Sequence, residues 1–147
     1  MKPSLYLPGR FLTACLTFWT FGVLNSASGS DLWTVLAEFE SGSNDRAIGS
    51  VGEVSRYQIR PELWKKYAPL NANYRHWPDA LAVGKKIMAE RTARFQETFH
   101  RAPTDREFYI LWNAPAQIKS PHKVVARRAD RFCGLVSRSD QYLGLAR

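Results

Sequence analysis

The sequence predicts a mainly α fold, α+β by class, built as one domain with a short β-hairpin. Three observations predict it. The chain has 147 residues, 45% apolar and 23% charged, which is enough for one core and too short for two. Five segments carry helix start and stop signals or apolar residues at helical spacing. A single stretch, 43 to 56, mixes Gly and Ser with β-branched Ile48, Val51 and Val54, the pattern of two very short strands around a glycine turn. Nine glycines and eight prolines are too few for a low-complexity chain, and no repeat or linker divides it.

The elements follow in order. Ser30 or Asp31 is placed to cap a helix through Leu32, Trp33, Val35, Leu36 and Phe39, which Gly42 stops. The hairpin follows. Pro61 opens a short helix through Leu63, Trp64 and Tyr67 that closes before Pro69. A longer helix runs from about Pro78 to His100, with Leu81, Gly84, Met88, Phe95 and Phe99 near one face and Ile87 beside them. Thr104 and Glu107 form a capping box for a helix carrying Phe108 to Trp112, apolar all round and therefore central. Ser120-Pro121 starts a last helix with Val125, Ala129, Phe132 and Val136 on one stripe, and the tail from Ser139 onward reads as loose.

Residues 1–28 read as a signal peptide, with an uncleaved anchor as the alternative. Lys2 and Arg10 form a positive start, Phe11 to Leu24 is uncharged, and small residues around Ser26 to Ser30 suit a peptidase. The apolar run is shorter than the roughly 20 residues a membrane span needs. Residues 29–147 are then the exported domain, periplasmic or secreted. Removal of Cys15 leaves Cys133 alone, a small hydrophobe in an apolar context with no disulfide partner.

The formal net charge is +8 without any block of five like charges, a cationic surface suited to an anionic polymer. No nucleic-acid motif accompanies it, so no nucleic-acid partner is expected. His76, His100, His122 and Cys133 lack metal-ligand spacing, and there is no phosphate loop and no Gly-x-Ser-x-Gly. No metal and no cofactor are expected.

Glu40 is the candidate for chemistry, although its position alone equally fits a solvated glutamate near a helix end. It sits at the C-terminal end of the first helix, just after Leu36 and Phe39. Apolar surroundings and the negative end of the helix dipole both favour its protonated form. A carboxylic acid kept protonated near neutral pH is what a general acid for glycosidic cleavage requires.

After Glu40 come Ser41, Gly42, Asn44, Ala47, Gly52 and Gln58, then Ile59, Pro61 and Trp64. Trp112-Asn113-Ala114-Pro115 stands at the end of the buried helix. This order resembles the lysozyme-like superfamily, most closely the soluble lytic transglycosylases and goose-type lysozymes. Their motifs read Glu-Ser-Gly-x-Asn, Gly-Leu-Met-Gln-Ile-x-Pro and Tyr-Asn-Ala-Gly. The resemblance covers roughly residues 31 to 64 and 103 to 118. It implies a lysozyme-like domain with the hairpin beside the catalytic helix. Three departures mark the chain: Ser55-Arg56-Tyr57 replaces Gly-Leu-Met, Pro115 replaces the last Gly, and no tyrosine stands near the last helix, where His122 is the nearest polar substitute.

The resemblance implies roles. Glu40 would protonate the leaving oxygen. Ser41 would fix the neighbouring backbone or bond to substrate, and Gln58 and Asn113 would bond an amino sugar. Tyr57, Tyr109 and Trp112 are candidates to stack on sugar faces, with core packing the stronger reading for Tyr109 and Trp112; Trp64 and Trp77 read as core or surface. A hydrolytic enzyme needs a second carboxylate, for which Glu53 and Asp45 are the candidates. By strand alternation Glu53 and Ser55 would point the same way. Without that partner, the sugar's own C6 hydroxyl closes an anhydro ring.

The expected activity is cleavage of the β-1,4 bond between N-acetylmuramic acid and N-acetylglucosamine in peptidoglycan, by lytic transglycosylation giving 1,6-anhydromuramyl ends. The alternatives are a hydrolytic lysozyme or a catalytically inactive peptidoglycan-binding protein on the same fold. A basic exported adaptor using its cationic face is the rival outside the resemblance. The expected partner is the glycan strand, met by a monomer, with a membrane involved only if the N-terminal segment is retained.

Overall fold

The structure is a computed structural model that describes residues 31–142; residues 1–30, where the signal peptide is expected, and residues 143–147 lie outside the described residues. Five α-helices and one 3₁₀ turn follow in order: α1 Leu32–Ser41, α2 Pro61–Tyr67, α3 Trp77–Phe99, α4 Asp105–Asn113, the 3₁₀ turn Pro115–Gln117, and α5 Lys123–Tyr142. The mainly α expectation holds, and the last helix runs through Ser139 to Tyr142, where a loose tail was expected.

The caps act as the sequence indicates. Asp31 accepts from the Trp33 amide at 3.2 Å and from Thr34 Oγ1 at 3.0 Å. Gly42 takes the left-handed conformation, φ 62°, that ends α1, and its amide donates to Glu38 O at 2.9 Å. Thr104 and Glu107 complete the capping box of α4. Arg101 also bonds Glu107 through both carboxylate oxygens and, as the largest influence, holds that carboxyl down to about 2.

The hairpin does not form. Segment 43–60 has two isolated antiparallel bridges, Ile48 with Val54 and Val54 with Ile59, and no strand among the described residues. The cause is local: Gly52, Ser55 and Gln58 have φ of 85°, 69° and 51°, and left-handed residues so close together interrupt an extended ladder. The same conformation breaks the alternation, so Ser55 is fully buried while Glu53 faces outward. The loop is tied down instead by Ser41 Oγ donating to Arg56 O at 2.9 Å and by Arg56 gripping both oxygens of Asp45 at 2.6 and 3.0 Å.

The core lies around α4, which packs against α5 and α3, while α1 packs against α5 and α2 against α3. Tyr109 through Trp112 are all buried, as an all-apolar helix requires, and so are Val125, Ala129, Phe132 and Val136 of the α5 stripe. Trp33 is an aromatic hub, meeting Tyr57, Phe108 and Trp112 edge-on at 5.6, 5.7 and 5.7 Å. Gly84 on α3 makes room for it, since a Cβ there would stand 2.8 Å from Trp33 Cζ3. Gly84→Ala should therefore destabilise the fold by about 1–3 kcal/mol through overpacking, despite Ala's better helix propensity. Chemical denaturation measures it; unchanged stability would mean that Trp33 yields freely.

Candidate active site

A groove of about 730 Å³, within the usual range for ligand sites, runs between the end of α1, the 49–63 segment and the end of α4. Glu40, Glu53, Gln58, Trp112 and Asn113 all line it, along with Arg60, Glu62, Arg91 and Arg128. Residues as far apart as 40 and 113 are thus brought to one surface. Three acids and three arginines line it, 3 − 3 = 0 when all are ionised. The groove is not the cationic part of the molecule.

Glu40 is held from two sides. Tyr109 Oη donates to Oε1 at 3.0 Å, and Arg128 Nη2 donates to Oε2 at 3.1 Å. Arg128 Nε also donates to Tyr109 Oη at 2.7 Å, closing the network. The Glu40 side chain is only 7% exposed. Burial pushes its carboxyl above the ordinary range; Arg128 and Tyr109 pull the other way without cancelling it, and the charge of Glu53 adds to the rise. A carboxyl so placed is biased toward its acid form and still oriented by a donor on each oxygen.

Glu53 is held differently. Its Oε2 accepts from the Val51 amide at 3.2 Å, and Gly49 N donates to its backbone carbonyl at 2.8 Å. Gln58 anchors its amide on Ser55 O at 3.0 Å. Both side chains converge over Gly49: a Cβ there would clash with Glu53 Oε2 and stand 2.6 Å from Gln58 Oε1. Gly49→Ala should displace Glu53 and Gln58 and leave stability nearly unchanged, because the flexible side chains, not the backbone, must move. Thermal unfolding followed by circular dichroism checks it; a large loss of Tm would show that the backbone has to move instead.

At the other wall, Arg91 Nη1 donates to Leu111 O at 2.7 Å and Trp112 O at 2.6 Å, satisfying carbonyls that the end of α4 leaves open. This fixes the turn from which exposed Asn113 projects. Trp112 reaches the groove but is 8% exposed and packed on Trp33, which leaves little of its ring open to a ligand.

Two expected substrate contacts are corrected. Tyr57 is 3% exposed, packs on Trp33 and is not in the groove, because left-handed Ser55 turns it into the core. Ser41 is not in the groove either; its hydroxyl is used on Arg56 O and accepts from the Asn44 amide at 3.1 Å, the backbone-fixing half of its expected role. Asp45 is spent on Arg56 and does not line the groove. His122 is exposed and outside it.

The sequence did not point to Arg128, and it offered Tyr109 as a core residue or a sugar-stacking face, not as a partner of Glu40. A buried tyrosine needs a partner for its hydroxyl, which was a usable signal for Tyr109. Arg128 stands beside Ala129 at the margin of the buried α5 stripe, with no local motif to mark it. Among the described residues no group of three His, Cys, Asp or Glu is placed to hold a metal, and no helix is long and apolar enough to cross a membrane. Comparison with protein families, curated proteins and solved structures finds no match to this chain.

Proposed function

We propose that the protein is a lysozyme-like glycosidase that cleaves the β-1,4 MurNAc-GlcNAc bond of peptidoglycan, with Glu40 as general acid. One observation carries the reading: a carboxyl buried at a helix end, biased toward protonation, opens on a groove that the amides of Gln58 and Asn113 also line. Glu40 gives its proton to the glycosidic oxygen as the bond breaks. Tyr109 and Arg128 then stabilise the carboxylate that remains, since each already bonds one of its oxygens. Gln58 and Asn113 hold the acetamido and hydroxyl groups of the sugar. The C6 hydroxyl of the muramyl residue attacks its own anomeric carbon and gives its proton back to the Glu40 carboxylate, a tethered reaction that avoids a bimolecular encounter. Export to the periplasm or exterior, where that polymer lies, belongs to the same proposal.

A second reading, hydrolysis, is favoured by one observation: Glu53 lines the groove with Glu40 and is near enough to raise its carboxyl. Glu53 would then activate water on the far face of the sugar. The test of the shared claim is loss of turbidity of purified peptidoglycan, with sedimentation as a binding control. Clearing supports a glycosidase. Sedimentation without clearing would leave a wall-binding protein.

A further inference from the structure

Arg128 stands between two cavities. Besides the active-site groove it lines a second cleft of about 470 Å³, shared with Glu38, Phe39, Arg131, Gly134 and Arg138. Three arginines meet one acid there, 3 − 1 = +2, and Glu38 accepts a bond from Ser43 Oγ at 3.1 Å. Neither Arg131 nor Arg138 forms an ion pair among the described residues.

The helix is built against its own stability at this place. At 100° per residue, positions 128, 131, 134 and 138 fall on one face of α5. Arg128 and Arg131, three apart, repel each other. Gly134 lies mid-helix, where Gly is destabilising relative to Ala, and no atom lies within 4 Å of the Cβ it lacks, so no packing explains it. The Phe39 ring lies beneath both guanidiniums, 5.4 Å from that of Arg128 and 5.9 Å from that of Arg131, which aligns them over a shared apolar floor. Local rules broken together without a structural return mark functional sites.

We propose that this cleft is a carboxylate subsite that takes the peptide stem of the polymer whose glycan strand lies in the groove. The proposal rests on the peptidoglycan reading for the source of the carboxylates. Arginine forks match carboxylates bidentately, and the two cavities are one residue apart. A strand in the groove can therefore place its stem in the cleft, and a stem there adds orientation to the cleaved sugar.

The experiment titrates the full chain with free stem peptide and, separately, with inorganic phosphate. Wild type should bind the peptide, and Arg131→Gln/Arg138→Gln should bind it about tenfold or more weakly, the scale of losing a charged hydrogen bond. Gly134→Leu should raise Tm and yet weaken peptide binding, a pair of opposite effects that a merely structural glycine would not produce. No peptide binding by wild type, or equal binding by all three proteins, overturns the subsite even if walls are cleared. Phosphate displacing the peptide at equal concentration overturns the carboxylate assignment. Peptide binding through this cleft by a protein that clears no walls supports the subsite and removes the glycosidase.

Discussion

Glu40→Gln should lower turnover of peptidoglycan by at least ~10²-fold, the low end for losing general-acid catalysis, while the protein still binds the wall. Glutamine keeps the shape and can accept from Tyr109 or Arg128, but it has no proton to give to the leaving oxygen. Folding should not suffer. Because burial raises the folded-state carboxyl above its unfolded value near ~4.3, the stability linked to its proton is present below that value and lost as pH rises through the folded one. Above its unfolded value Glu40 thus costs stability, so at neutral pH the Tm of Glu40→Gln should equal or exceed that of wild type. The gap should close as the solution is made acid. Wild-type clearing by the variant would sink the catalytic assignment.

Arg128→Gln should move the alkaline limb of the pH–rate profile upward by about one unit or more, the usual scale for an opposite charge in contact with a carboxyl. The sign follows from the contact at 3.1 Å. A guanidinium favours the carboxylate, so its removal keeps Glu40 protonated to higher pH. For wild type the rate should fall as pH rises, since the acid must begin protonated. At acid pH the variant should lose less than Glu40→Gln, because its acid is still in place. An unmoved limb would show that Glu40 does not set the pH dependence.

The helices were legible because their signals are local. Asp31, Gly42, Pro61 and the Thr104–Glu107 pair act within a few residues of the ends they mark, and the α5 stripe is a matter of spacing. The hairpin was not, because β-branched residues at 48, 51 and 54 suggest extension while the conformations of Ser55 and Gln58 do not follow from their residue types. That error also misplaced Tyr57 and Ser55. Glu40, Glu53, Gln58 and Asn113, singled out from the sequence, line one groove. The network around the acid was out of reach: Tyr109 lies 69 residues from Glu40 and Arg128 lies 88, joined only once α1, α4 and α5 have packed. Position and periodicity placed both helices, and neither says which polar group meets which.

Mass spectrometry of the fragments released from purified peptidoglycan tests the central claim most directly. Ring closure by the C6 hydroxyl releases soluble muropeptides ending in 1,6-anhydromuramic acid, lighter by one water than their reducing-end counterparts. Fragments that all carry a free reducing end would contradict ring closure by the C6 hydroxyl and put Glu53 in the role of base. No fragments at all, from a protein that still sediments with the wall, would contradict the glycosidase itself.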